Sequence, residues 1–240
     1  MSQVLPAADF TEWLKREGAA RYHDHHRYHQ LMHAGKLTQP QLQQWVLNRY
    51  YYQTRIPIKD AIILSKSDDP SFRRMWIRRI QDHDGTAEGE GGLAMWLRLA
   101  DGVGLDVEEV RSCRSVLSGV IFACDAYVQL VRERTLLEAV ASSLTEFFAP
   151  DIMAKRILAW ESHYPWVAPE MLAYFRARVT RAKRDSGEAL EYVTTHATTL
   201  EMQTRCVEAL IRKTQVLWHL LDTTYAAYVE PAWGPCGPRD

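Results

Sequence analysis

Two short segments carry the groups best suited to chemistry: Asn48-Arg49-Tyr50-Tyr51-Tyr52-Gln53-Thr54 and Arg79-Ile80-Gln81-Asp82-His83-Asp84-Gly85. In each, a guanidinium stands four residues before a second polar group, so on a helix the two share a face. Turning such groups inward costs several kcal/mol (roughly 2–7) unless something pairs with them. An anionic ligand with many hydrogen-bonding atoms is the natural partner. Arg49 offers a planar fork to a carboxylate, Tyr52 lies one turn on, and the Gln53 amide can bond an anion or a ring carbonyl. His83 has a carboxylate on each side. Acidic neighbours raise an imidazole pKa and burial lowers it, and on either count His83 can serve as a base near neutral pH. The plainer readings are a surface Arg paired with a carboxylate and a helix-end His bonded to a terminal carbonyl.

Other segments repeat the pattern. Tyr174 and Arg178 are four residues apart; Glu146 sits in an apolar stretch where a carboxylate needs a partner; Lys213 lies in a long apolar helix pattern. Tyr22 and His23 begin a run in which His25, His29 and His33 share a helical face. That run invites a metal, but the chain lacks HExxH and lacks the paired Glu-x-x-His of a di-iron bundle, so no metal is assigned. Lys59-Asp60 reads as an ordinary local pair. Gly85, Gly89, Gly91 and Gly92 do not form a phosphate loop, since no GxGxxG follows a strand; a tight return of the chain over a pocket is the better reading.

The elements that position these groups read as helices almost throughout: residues 8–18, 22–34 and 38–55, where Thr38 and Gln41 have capping-box spacing. Pro57 is expected to break or kink the third helix, with the pattern resuming to Lys66. Asp69-Pro70 opens a helix running to His83-Asp84-Gly85. Further helices are expected over 92–102, 106–112, 116–130, 132–148, 151–160, 169–184 and 187–229, the last as one helix or two. No window alternates long enough to make a strand. The expectation is one all-α bundle over residues 1–230, with a Pro/Gly-rich tail or linker stub at 231–240.

Bulk properties exclude several classes. A net charge of -1 over 240 residues gives no general electrostatic case for nucleic acid or an anionic membrane. No stretch approaches eighteen apolar residues and no secretory signal opens the chain, so a cytoplasmic protein with reduced cysteines is expected. Eight Trp and eleven Tyr suit pockets and interfaces, though core packing accounts for most of them.

Six segments together resemble the pyrroloquinoline-quinone synthase family (PqqC proteins): Tyr22 to His33, Trp45 to Pro57, Arg79 to Gly92, Ser142 to Pro150, His163 to Trp166, and Tyr174 to Asp185. The likeness covers about residues 8 to 230. It implies a haem-oxygenase-like bundle shared with thiaminase II (TenA) proteins, acting as a homodimer. It also implies a cofactor-free oxidase with O2 as co-substrate and no metal. Such an enzyme closes the last ring of a tricarboxylated bicyclic precursor (AHQQ), then removes eight electrons and releases hydrogen peroxide.

By this resemblance Tyr22, Arg49, Tyr52, Gln53, Arg79, Tyr127, Glu146, Arg156 and Lys213 bind substrate. His83 is the principal base, with His23 beside it, and Tyr174 and Arg178 hold and polarise oxygen. One position departs: Met153 stands where the family pattern carries an oxygen-site His, and a thioether cannot shuttle a proton. Met153 keeps open a non-catalytic or partially active binder of precursor or quinone. Two other readings on this scaffold are a metal-dependent oxygenase and a thiaminase II-like hydrolase, the latter needing a nucleophilic cysteine in the pocket. A small pathway partner, fused or associated after residue 230, is the macromolecular partner that the tail suggests.

Overall fold

The computed structural model describes residues 3–230. The tail expected at 231–240, with Cys236, lies outside the described residues. Among them are eleven α-helices and no strand: α1 Ala7–Ala19, α2 Arg27–His33, α3 Gln39–Ser65, α4 Pro70–Asp84, α5 Gly91–Gly102, α6 Val107–Ser112, α7 Ser118–Glu133, α8 Leu136–Ser142, α9 Ala149–His163, α10 Ala173–His196 and α11 Leu200–Tyr228. Short 3-10 turns at His23–His25, Ser143–Phe148 and Pro169–Leu172 join them. α3 runs through the middle with α4, α7 and α5 against it, while α10 packs on α9 and α11 on α7 and α8.

The caps read from sequence are in place. Thr38 and Gln41 bond reciprocally at the start of α3. Both Asp69 carboxylate oxygens accept from α4 backbone amides, at Ser71 and Phe72, with Pro70 in the first turn.

Four expectations are corrected. Of the break or kink expected at Pro57, the break does not occur: α3 continues as one 27-residue helix. Proline forfeits one backbone bond, but fourteen α3 residues are buried and their packing outweighs that loss. The helix expected over 22–34 is interrupted, because His26 is extended (φ -66, ψ 138) and caps α2, its Nδ1 accepting from the Tyr28 amide at 3.0 Å. The helix over 132–148 becomes α8 plus a 3-10 turn. There the Ser142 hydroxyl donates to Ala139 O (2.7 Å), and Pro150 has no N–H to offer the Glu146 carbonyl. The break placed near 184–187 falls instead at 197–199, where Thr199 caps α11; Ser186 and Gly187 are inside α10. An interior glycine costs only about 1 kcal/mol, which tertiary packing overrides.

The core is aromatic. Trp45, Trp96, Trp160 and Phe175 form a fully buried cluster with ring centroids 5.4–6.4 Å apart. At the chain's start, Leu5 exchanges two backbone bonds with the Gln203 amide, tying the first residues to α11. Among the described residues no helix is long and apolar enough to cross a membrane.

Candidate active site

α3 supplies the first wall. Its Arg49, Tyr52 and Gln53 are all buried, as their one-face spacing predicts. The Arg49 guanidinium lies 4.0 Å over the Tyr52 ring. Lys213 on α11 donates to the Tyr52 hydroxyl (2.8 Å) and sits 3.4 Å from the Tyr127 ring centroid. The Gln53 side-chain oxygen accepts from the Tyr174 hydroxyl at 2.8 Å, joining α3 to α10. Burial, then Arg49 and Lys59, push the Lys213 ammonium well below its usual pKa. Burial also keeps the Tyr52 and Tyr174 phenols protonated well past neutrality.

α4 supplies the second wall. Glu146, expected to need a partner, has two: Arg79 at 2.9 Å and Arg178 at 3.2 Å. Asp185 completes the network, its carboxylate 3.4 Å from Arg178 and its backbone oxygen accepting from Arg79. Burial opposes ionisation of Asp185, yet Arg79, Arg178 and Arg184 hold its carboxyl below the usual range. The Arg79 guanidinium also stacks 4.0 Å over Trp76.

His83 has a definite tautomer. Its Nδ1 is 3.1 Å from the Arg79 carbonyl, which can only accept, so Nδ1 carries the proton. Nε2 therefore holds the lone pair, and it is buried without a partner. Burial first, then Arg178, push the imidazole pKa down to about 3. The flanking aspartates, expected to compete with burial, do not set its state; Asp82 instead pairs with Arg181 and Arg184. His83 is a neutral imidazole whose basic nitrogen has no protein partner.

The third wall comes from the N-terminal histidines and α9. The Tyr22 and His23 rings pack at 4.3 Å, and His23 Nδ1 is 3.1 Å from His29 Nδ1. Arg156 Nη2 reaches His29 Nε2 at 3.3 Å, and Nη1 reaches the Met153 sulfur at 3.6 Å. Burial, then Arg49, lower the Arg156 pKa to about 9, leaving it cationic at neutral pH. Met153 is buried against this guanidinium.

These groups form one unit with unequal partnering. Arg79 and Arg178 are neutralised by Glu146 and Asp185, whereas Arg49, Arg156 and Lys213 have no ion-pair partner among the described residues. Arg49 Nη1, Arg79 Nε, Arg156 Nε and His83 Nε2 are buried without hydrogen bonds. The three guanidinium nitrogens lack acceptors, which an anionic, acceptor-rich ligand would supply, while His83 Nε2 lacks a donor. The plainer reading of Arg49 as a surface residue does not hold, because it is only 8% exposed.

Every candidate residue is thus in or beside this interior. Asp185 and Ser143 join the site without a motif that points to them, and His29 joins it through Arg156 and His23 and not through the metal face its spacing invites. Pattern reading understated Lys59-Asp60: the pair forms at 2.6 Å but is buried, with Lys59 also donating to Ser143. Burial lowers the Lys59 pKa, and Asp60 with the other anionic groups nearby more than offsets it, leaving it raised.

The histidines expected on one face separate: His25 is exposed, and no described group of three His, Cys, Asp or Glu could hold a metal ion. Cys124 and Cys206 are buried, their thiols pushed up to about 12, chiefly by burial. Neither of these two is placed to act as the nucleophile that a thiaminase II-like hydrolase needs.

The fold is similar to that of solved haem-oxygenase-like proteins. One is a domain of unknown function from Shewanella denitrificans (TM-score 0.75, 14% identity, 99% of each chain covered). Another is a TenA homolog from Pseudomonas syringae (TM-score 0.72, 16% identity, 95% of this chain and 99% of that one). The pattern of the TENA/THI-4/PQQC family matches residues 14–223. At the sequence level the chain is 50% identical over 240 residues to a pyrroloquinoline-quinone synthase of Rhizobium rhizogenes, covering 100% of this chain and 97% of that one. It is 51% identical over 237 residues to the synthase of Acidiphilium cryptum (99% and 96%). A bifunctional coenzyme PQQ synthesis protein C/D of Methylorubrum extorquens is 50% identical over 233 residues, 97% of this chain and 63% of that protein. The chain belongs to the TENA/THI-4/PQQC family and, within it, to the pyrroloquinoline-quinone synthases.

Proposed function

We propose that this chain is a cofactor-independent pyrroloquinoline-quinone synthase, closing the last ring of the tricarboxylated precursor and oxidising it with O2 to the quinone and hydrogen peroxide. The observation that carries this is the set of three buried basic side chains, Arg49, Arg156 and Lys213, without carboxylate partners. A substrate with three carboxylates balances them. The same carboxylates would raise the lowered pKa of Lys213 and restore its charge on binding.

His83 Nε2 is the group available to take a proton from the substrate, generating the electron-rich ring that reacts with oxygen. Nearby carboxylates raise the imidazole pKa, so His83 becomes a stronger base when the site fills. Arg178, held by Glu146 and Asp185, is a fixed donor for the reduced oxygen, and the Tyr174 phenol, whose one proton is donated to Gln53, is fixed beside it as an oxygen that accepts. Met153 offers no proton there, and its contact with Arg156 leaves that guanidinium as the adjacent charge. Tyr22, His23, Tyr52 and Tyr127 enclose the rings.

The reading extends to a homodimer in the cytoplasm, with residues 1–230 as one domain. It also includes a small pathway partner at the C-terminal end, which the longer bifunctional relative supports. Chelator-treated protein mixed with the precursor in air should produce quinone absorbance, consume oxygen and release peroxide. Binding without oxidation would reduce the chain to a binder, and no binding would overturn the proposal.

A further inference from the structure

The helix α2 histidine His29 has no role in the chemistry above, yet its surroundings are fully specified. Its Nδ1 lies 3.0 Å from the His23 carbonyl oxygen, an acceptor only. Its Nε2 lies 3.3 Å from Arg156 Nη2, a donor only. The two contacts independently require the same tautomer, with the proton on Nδ1 and the lone pair on Nε2. His23 Nδ1, 3.1 Å from the same protonated nitrogen, must then accept, which puts the His23 proton on Nε2. His29 is 1% exposed, and its ring packs against Trp45 at 6.1 Å, so the arrangement is held by the core.

We propose that His29 is a positioning residue: as the Nδ1–H tautomer it holds the Arg156 guanidinium and the His23 ring in the orientations that receive a substrate carboxylate. It occupies one donor nitrogen of Arg156, Met153 takes the other terminal nitrogen, and Arg156 Nε stays unpartnered. Without an acceptor at His29 Nε2 the guanidinium is free to rotate against the Trp45 and Phe175 faces, which lie 4.9 and 5.4 Å away. Through the second contact His29 also makes His23 a hydrogen-bond donor at Nε2, rather than a base. This rests on the reading of Arg156 as a ligand for a substrate carboxylate.

The test pairs two variants with ring-nitrogen NMR of the wild-type protein. His29→Phe removes both contacts, whereas His29→Gln returns an acceptor toward Arg156. His29→Phe should weaken binding of the quinone product and raise KM for the precursor roughly 10–100-fold, the loss expected for a charge-assisted hydrogen bond. kcat should fall much less, and His29→Gln should recover most of the binding. The NMR should show His29 protonated at Nδ1 and free at Nε2. An Nε2-protonated or doubly protonated His29 would overturn the proposal whatever the variants do. So would unchanged binding in His29→Phe, or equal losses in both variants that track their loss of thermal stability. If the wild-type protein binds no quinone, the functional reading fails and the substrate-positioning role falls with it. The NMR would then still report separately whether His29 holds Arg156.

Discussion

At the scale of single residues, the decisive contrast is between cations with partners and cations without. Arg79 and Arg178 are held by Glu146, so their charge is spent before any ligand arrives, and they act as fixed donors. Arg49 is buried without a carboxylate partner among the described residues, its guanidinium against the Tyr52 ring, an interaction worth about 2 kcal/mol in a desolvated site. An uncompensated buried charge costs several kcal/mol (roughly 3–5). Arg49→Met should therefore raise the melting temperature of the ligand-free protein by a few degrees, at about 2–4 °C per kcal/mol for this size. The same change should weaken quinone binding, and calorimetry on one preparation reads both signs. His83→Asn removes the free basic nitrogen; it should lower kcat by roughly 10²–10⁴ while product binding stays within several-fold. Because the free-enzyme imidazole titrates near 3, log kcat/KM should show no acid limb centred at the ordinary histidine value of 6.5. A limb there would mean that His83 is not the base or is not buried.

At the scale of elements, the site depends on how tightly helices end. Between α4 and α5 the chain reverses through Gly85 and Gly91, both at positive φ (85° and 80°), and a Cβ on Gly91 would sit 2.3 Å from the Gly85 amide nitrogen. That approach lets the turn close directly behind His83. Gly91→Ala should destabilise the protein by about 2–3 kcal/mol, read from a denaturant midpoint, because strain and backbone overlap combine there. This turn was legible in the sequence because glycine spacing reports backbone conformation directly. So were Thr38 and Asp69 as caps, and the Arg49–Gln53 and Arg79–His83 pairs, since those depend on neighbours within one turn. What lay beyond reach depends on other helices. Asp185 matters because α10 lies against the 3-10 turn carrying Glu146, and Lys59-Asp60 looked local because nothing along the chain reports its burial. Pro57 and Gly187 carry a strong local signal that tertiary packing overrode.

At the scale of the whole molecule, a polar interior makes stability depend on pH. His23, His29, His33 and His83 all have pKa values lowered chiefly by burial, His33 and His83 to about 3. Folded, they stay neutral; unfolded, they bind protons below about 6.5. The unfolded state therefore gains protons as pH falls, and the stability present above 6.5 is lost on the acid side. Each fully titrating histidine contributes a slope of about 1.4 kcal/mol per pH unit. Denaturation followed from pH 7.5 to 5 should show stability falling throughout the window, with a shallower slope in His29→Gln. The acid loss should diminish when a tricarboxylate is bound, since its carboxylates raise the His83 pKa toward the unfolded value and narrow the difference in bound protons.

The most direct test of the central claim is a calorimetric titration of the quinone product and of its trimethyl ester into the wild-type protein. Three buried, unpaired basic side chains, with Lys213 taking up its charge on binding, predict saturable one-to-one binding of the trianion and at least roughly 100-fold weaker binding of the ester, as loss of charge pairing in a buried site requires. Equal affinity for the two would contradict the account, because the interior would then recognise the ring system and not its carboxylates.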